Sequence, residues 1–377
     1  MKELVLDVET TTFQKGNPFS RQNRLILGGL FDGTSSKYFG EGISTNLDPS
    51  DLNSILLIGF NIKFDLHWIK RTYGTLFHNI SIWDCQLAEF LLSNQREPFP
   101  NLDSVANRYA LGTKLDTIKT KYWDNGIDTD QVPIEELQEY LDQDLKLTYE
   151  LYKQQQIKLK EAGLLPLFRL QCADLIVLEE MEWNGIKLDT TLCLEKEKET
   201  EEELKNIDIS LKNFHDPNLP INYNSRDHLS CLLYGGTIIE DVRIPVGVYK
   251  TGEKVGLPRY KILTYEHELP RLIEPLKGSE LLKEGYYSTN DETLRQLRTT
   301  KKFKSLIQLI LRRAELSKIQ GTYYRGLPNL INEMDWKPGY LYGQLNQCVA
   351  VTGRLSASKP NQQNFAGDVK ECLITRF

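Results

Sequence analysis

The chain has 377 residues, 40% of them hydrophobic, and a net charge of −6, enough for two or three domains with cores of their own. Its six cysteines (Cys85, Cys172, Cys193, Cys231, Cys348 and Cys372) are scattered and the five histidines do not cluster with them, which argues against a zinc site or disulfide framework and for a reducing, cytoplasmic setting. No apolar run is long enough to span a bilayer, so no membrane partner is expected.

The chain opens on a strand. LVLDVETT predicts one over Lys2–Val8, and Asp7 and Glu9, two positions apart, share one face at its end. Further strands are predicted at Leu25–Phe31, Lys37–Phe39 and Ile55–Ile58. Asn61 then serves as cap for a helix carrying Phe64, Asp65, Trp68 and Ile69, with Asp65 in its first turn. Helices near Leu87 and Val105 follow. From Pro133 onward, Leu137, Leu141, Leu145, Leu147 and Leu151 recur at three-and-four spacing, a long amphipathic helix ending near Gly163. Tyr140 and Asp144 fall one turn apart on it. This alternation predicts an α/β domain over residues 1–163.

Beyond Pro166 the pattern is mainly helical. Leu167–Trp183 forms an apolar helix ended by Gly185, and Thr190–Phe214 a charged one whose acidic run LEKEKETEEELKN reads as a solvated face. SRDHLSCLLYGG is a capped helix, with Asn224 or Ser225 as cap. The Pro-, Gly- and Val-rich stretch Ile244–Leu263 reads as a β insertion or a loop, Thr289–Glu292 as a capping box, and Phe303–Lys318 as another helix. From Arg295 to Arg325 the basic residues, among them Arg298, Lys301, Lys302, Arg312 and Arg313, face the single acid Glu315. Such a patch suits phosphate contact, and a helix pair with solvated lysines is the plain alternative.

Four carboxylates, Asp7, Glu9, Asp65 and Asp144, stand in strand and helix contexts compatible with one site. Each alone is an ordinary strand end, helix start or surface pair. Brought together they repel, and two divalent ions, Mg²⁺ or Mn²⁺, are the expected neutralising partners.

These segments, with Asn61 and Tyr140, resemble the three exonuclease motifs of the proofreading domain of family A DNA polymerases, in the subtype with a tyrosine in the third motif. The resemblance implies a ribonuclease H-like, three-layer domain with a mixed sheet. It also implies that Asp7 bridges two metals, that Glu9 and Asp144 complete the first site, and that Asp65 serves the second. Tyr140 and Glu9 would orient the water attacking the last phosphodiester of a single-stranded 3′ end. Asn61 would contact the DNA, and the product would be a nucleoside 5′-monophosphate.

The region 164–336, with its β insertion near 237–265, resembles the family's thumb and connector; LEEMEWNGIKLD and LLYGG point to the bacteriophage branch, hence host cytoplasm. Residues 337–377 resemble the start of the palm. In QLNQCVAVTGRLSASKPNQQNF the pattern T-G-R-L-S, then P-N-x-Q-N, implies that Thr352, Arg354, Asn361, Gln363 and Asn364 contact the minor groove of a primer–template duplex. Gln362, Phe365 and Ala366 depart from the family pattern.

In the family, the strand bearing the first polymerase aspartate follows a segment like VKECLITRF, where this sequence reaches Phe377. The expectation is therefore an exonuclease that polymerises only with a polypeptide supplying palm and fingers. The alternative is a DNA-binding scaffold half of a split polymerase, dependent on its partner for catalysis. A third reading, an RNA-trimming exonuclease, has no use for the T-G-R-L-S segment.

Overall fold

The computed structural model describes residues 2–41, 43, 47–48, 52, 55–74, 80–112, 117–365 and 367–375. Ala366 and Phe377 lie outside the described residues. Two compact units are present, Met1–Thr190 with Leu327–Phe377, and Thr191–Gly326.

The first unit is built on a mixed five-stranded sheet. Strands β1 (Lys2–Thr10), β2 (Leu25–Phe31), β3 (Ser36–Gly40), β4 (Ile55–Gly59) and β5 (Ser81–Asp84) lie in the order β3-β2-β1-β4-β5. The β1–β2 and β2–β3 pairs are antiparallel, while β4 joins β1 and β5 in parallel. Helix α1 (Ile62–Tyr73) follows β4; α2 (Cys85–Leu92), α3 (Leu102–Arg108) and α4 (Thr117–Lys121) lead to α5 (Ile134–Glu161). The leucine stripe predicted for α5 is its buried face, with Leu137, Leu141, Leu145 and Leu151 fully enclosed. It packs on β1, β2 and β4, each buried leucine contributing about 1.5–3 kcal/mol.

Helix α6 (Leu165–Asn184) also packs in this unit, against α1, α2 and β5. Short strands complete it: β6 (Ile186–Leu188) pairs with both β9 (Tyr340–Leu341) and β12 (Leu373–Ile374), and β10 (Gln344–Asn346) pairs with β11 (Ser356–Ser358). The compact units thus divide at Thr190 and Gly326 rather than at 163 and 336, because α6 buries its Phe168, Cys172 and Leu175 in the same core as the sheet.

The second unit holds α7 (Thr190–Leu211) from Thr191 onward, α8 (Arg226–Tyr234), a two-stranded ribbon of β7 (Gly236–Val248) and β8 (Pro258–Leu269), α9 (Asp291–Gln296) and α10 (Lys301–Ile319). A single π-helical turn at Gln320–Tyr324 leads to α11 (Gly326–Glu333), which returns the chain to the first unit. Leu211, Leu232, Leu233 and Leu306 centre its core.

Several local expectations resolve or change. Ser225 caps α8 by accepting from the His228 N–H. The cap of α9 is Asn290, accepting from Thr293 N–H at 2.8 Å, and not Thr289. The insertion is a ribbon longer than Ile244–Leu263, because Ile238 and Leu269 at its root are buried. All six cysteines are buried thiols outside any disulfide. Among the described residues no helix is long and apolar enough to cross a membrane.

Candidate active site

Strand period and helix period meet at one end of β1. Asp7 and Glu9 alternate with buried Val8 along the strand, opposite Gly29 and Leu27 of β2, and a register shift after Glu9 ends the regular ladder. Helix α5 crosses the same face. Gly29 makes its approach possible, since a Cβ there would lie 2.6 Å from Leu145 and 3.1 Å from Leu141. One carboxylate oxygen from each of Asp7, Glu9 and Asp144 falls within 4.8 Å of the others.

Asp65 reaches the site from α1. Its Oδ1 accepts the Val8 N–H at 3.1 Å, and only 2% of the residue is exposed. Burial, then the neighbouring charge of Asp7, drives its pKa well above the usual carboxylate range, against the pull of backbone N–H bonds. An all-carboxylate set of this kind fits hard divalent ions such as Mg²⁺ or Mn²⁺. Tyr140, one turn before Asp144, is 4% exposed and meets the edge of Trp123 with ring centres 5.9 Å apart.

Asn61 does not cap α1 with its side chain. It adopts φ 61°, ψ 45°, a left-handed conformation that asparagine tolerates better than most residues, and is exposed at the helix start. The cap comes instead from Asp84 at the end of β5, whose Oδ2 accepts the Ile62 N–H at 2.8 Å while Oδ1 accepts the Leu87 N–H of α2 at 2.8 Å. Burial raises the Asp84 pKa, opposed by the N–H groups of Leu87, Ile62, Gln86 and Asn61. One side chain thus fixes the starts of two helices, one of which carries Asp65.

A buried ionic cluster holds the opposite side of α1. Lys63 Nζ bonds Glu182 Oε1 at 2.6 Å and the Leu345 carbonyl at 2.5 Å, and the Leu345 N–H donates to the same Glu182 oxygen at 2.5 Å. The His67 ring nitrogens lie 3.1 Å and 2.8 Å from Glu179 and Glu182, and Lys70 lies 3.2 Å from Glu179. The partners are more than a hundred residues apart, so no sequence pattern announces them.

The T-G-R-L-S segment is an exposed turn into β11, with Thr352, Arg354, Asn361, Gln363 and Asn364 all exposed. Among the described residues Arg354 has no carboxylate partner. Asn361 accepts from the Gln363 N–H at 3.2 Å and Gln363 donates to the Leu355 carbonyl at 3.2 Å, so both also shape the loop.

The basic residues of the second unit divide into two groups. Arg312 pairs with Glu203 at 2.9 Å, Arg313 with Asp208 at 2.6 Å and Arg325 with Glu197 at 2.5 Å. These acids belong to α7, so its acidic run is not merely a solvated face. Arg298, Lys301 and Lys302 are exposed, and among the described residues none has a carboxylate partner.

Residues 46–160 match the 3′-5′ exonuclease family, and residues 260–374 match DNA polymerase family A. The chain thus carries a 3′-5′ exonuclease match in its first half and a DNA polymerase family A match in its second. The exonuclease match includes Asp65, Tyr140 and Asp144; Asp7 and Glu9 join them through the sheet. The chain is 27% identical over 311 residues to DNA polymerase I of Synechocystis sp., covering 81% of this chain and 26% of that relative. It is 30% identical over 189 residues to the thermostable DNA polymerase I of Thermus filiformis, covering 50% and 17%. The chain thus spans about a quarter or less of the length of these bacterial relatives. The fold matches the POL domain of Pol1 from M. smegmatis, solved in complex with DNA primer–template and dNTP, at a TM-score of 0.66 and 16% identity, covering 96% of this chain and 52% of that one.

Proposed function

We propose that the chain is a metal-dependent 3′-to-5′ DNA exonuclease acting as the proofreading part of a replicative family A polymerase in the cytoplasm. The observation that carries this reading is the convergence of Asp7, Glu9 and Asp144 within 4.8 Å, with Asp65 tied to the backbone of the same strand. Asp7, Glu9 and Asp144 would hold one divalent ion, and Asp7 with Asp65 a second. Bound Mg²⁺ or Mn²⁺ would supply Lewis-acid activation of water and neutralise charge on the leaving 3′ oxygen.

The remaining work belongs to the protein's own groups. Tyr140, held by Trp123, orients the attacking water together with Glu9. Asn61, exposed at the start of α1, meets the terminal nucleotide. Arg298, Lys301 and Lys302 bind duplex phosphates, while Thr352, Arg354, Asn361, Gln363 and Asn364 follow the minor groove, where donors find acceptors on every base pair. Nucleotide addition would draw on palm and fingers beyond these residues. The bacteriophage assignment rests on LEEMEWNGIKLD and LLYGG alone, and the Synechocystis and Thermus relatives are bacterial.

The test is a 5′-labelled primer annealed to template, incubated with Mg²⁺ or Mn²⁺ beside Asp7→Ala. A ladder of shortened primers that needs metal and vanishes in the variant supports the reading. Unchanged primer in every lane overturns it in favour of a DNA-gripping scaffold.

A further inference from the structure

The β7–β8 ribbon is the least explained feature of the second unit. Its register runs from Gly236↔Leu269 to Val248↔Pro258, and among the described residues no third strand joins it. Only the root is anchored, by buried Ile238 and Leu269. Further out the ribbon exposes large apolar side chains, with Tyr260 at 53% and Ile262 at 55% of their surface in water.

Charge is segregated along it. The root carries Glu240, Asp241, Glu266 and Glu268, and two of these acids have internal partners, Glu240 with His267 and Asp241 with Thr264. The outer part, residues 243–262, carries Arg243, Lys250, Lys254, Arg259 and Lys261 against the single acid Glu253. Among the described residues none of these five cations has a carboxylate partner. Edge strands often carry charge to prevent aggregation, but that role needs neither one sign nor a polarised ribbon.

Both faces of the outer part are mixed. Opposed residues on antiparallel strands share a face, so Arg243 with Ile262 and Pro245 with Tyr260 lie on one face and Ile244 with Lys261 on the other. An apolar protein partner would favour one greasy face and one polar face. A groove with a polyanionic rim accepts cations and apolar contacts on both, and a two-stranded ribbon fits the major groove of duplex DNA.

We propose that the outer β7–β8 ribbon is a DNA-binding arm that enters a groove of the duplex and places Lys250, Lys254, Arg259 and Lys261 on its phosphates. The inference rests on DNA being the substrate and goes beyond the exonuclease site and the thumb helices.

The test measures affinity for a blunt duplex by fluorescence anisotropy across a salt series, in EDTA, with the full chain. Replacing Lys250, Lys254, Arg259 and Lys261 by alanine is expected to flatten the slope of log K against log salt by about 0.9 for each phosphate no longer neutralised. Tyr260→Ala is expected to weaken binding with the slope unchanged. An unchanged slope and affinity in the fourfold variant, with its melting temperature intact, overturns the proposal and leaves the ribbon to a protein partner. Metal-dependent cleavage of a single-stranded oligonucleotide is measured on the same preparations. The fourfold variant should retain it, and its absence in the wild type counts against the exonuclease reading while leaving the salt slope to judge the arm.

Discussion

Gly29 lies directly across the β1–β2 ladder from Asp7. A methyl group there would come within 2.6 Å of buried Leu145, one residue beyond Asp144. Gly29→Ala is therefore expected to lift α5 from the sheet, costing about 1–3 kcal/mol by overpacking, and to separate Asp144 from Asp7. The check is a urea midpoint alongside exonuclease rate. A rate equal to wild type in a destabilised variant would show that the spacing tolerates the shift.

The carboxylate cluster should be a stability liability without metal. Oxygens within 4.8 Å repel, so Asp7→Asn is expected to raise the melting temperature in EDTA. Wild type should gain about 2.7 kcal/mol when free Mn²⁺ is a hundredfold above its dissociation constant, and the variant much less. Equal Mn²⁺ shifts in the two proteins would place the ion elsewhere.

Asp84 couples two helix starts, so Asp84→Ala should cost about 0.5–2 kcal/mol for each of the two caps. Because α1 also positions Asp65, exonuclease rate should fall more than binding of a single-stranded 3′ end. Asp84→Asn, which keeps one acceptor oxygen, is expected to lie between. Hydrogen exchange at Ile62 and Leu87 reads the two caps separately, and protection unchanged at both in Asp84→Ala contradicts the assignment.

Why some of this is legible in sequence and some is not follows from range. Asp7 and Glu9 are placed by a two-residue strand period, and Tyr140 and Asp144 by one helical turn, so local pattern suffices. Asp84 acts on residues 22 positions back and three ahead, and only the parallel β4–β5 pairing brings the first within reach. The acidic run of α7 reads as solvated because its arginine partners lie more than a hundred residues away. Asn61 stands where a cap is expected, yet its left-handed backbone turns that role over to Asp84.

The pairing of α7 acids with Arg312, Arg313 and Arg325 changes what arginine substitutions should do. Arg313→Ala breaks hydrogen bonds with Asp208 and Asn224 and is expected to lower stability while leaving the salt slope of DNA binding nearly unchanged. Lys301→Ala and Lys302→Ala should do the reverse, each removing about one phosphate contact and about 0.9 from the slope. Paired melts and salt titrations separate the two groups, and a reduced slope in Arg313→Ala at unaltered stability would return that residue to the DNA contacts.

Glu182 supplies a pH test of the cluster behind α1. Burial alone would raise its pKa, but the hydrogen bond with His67, the charges of Lys63 and His67 and the Leu345 N–H together hold it below the ordinary value. The unfolded chain therefore takes up a proton first on acidification. The stabilising contribution is present above the unfolded value of about 4.3 and is lost as pH falls through the lower folded one. Glu182→Gln, which leaves Lys63 without its carboxylate and His67 with Glu179 alone, should cost about 3–5 kcal/mol near pH 7. The stability gap between wild type and variant should begin to narrow as pH falls below about 5 and should keep shrinking as it passes through the lower folded value, as read by urea midpoints at each pH. A gap that stays constant across that range would mean that the charge of Glu182 does not stabilise the junction of α1, α6 and β10.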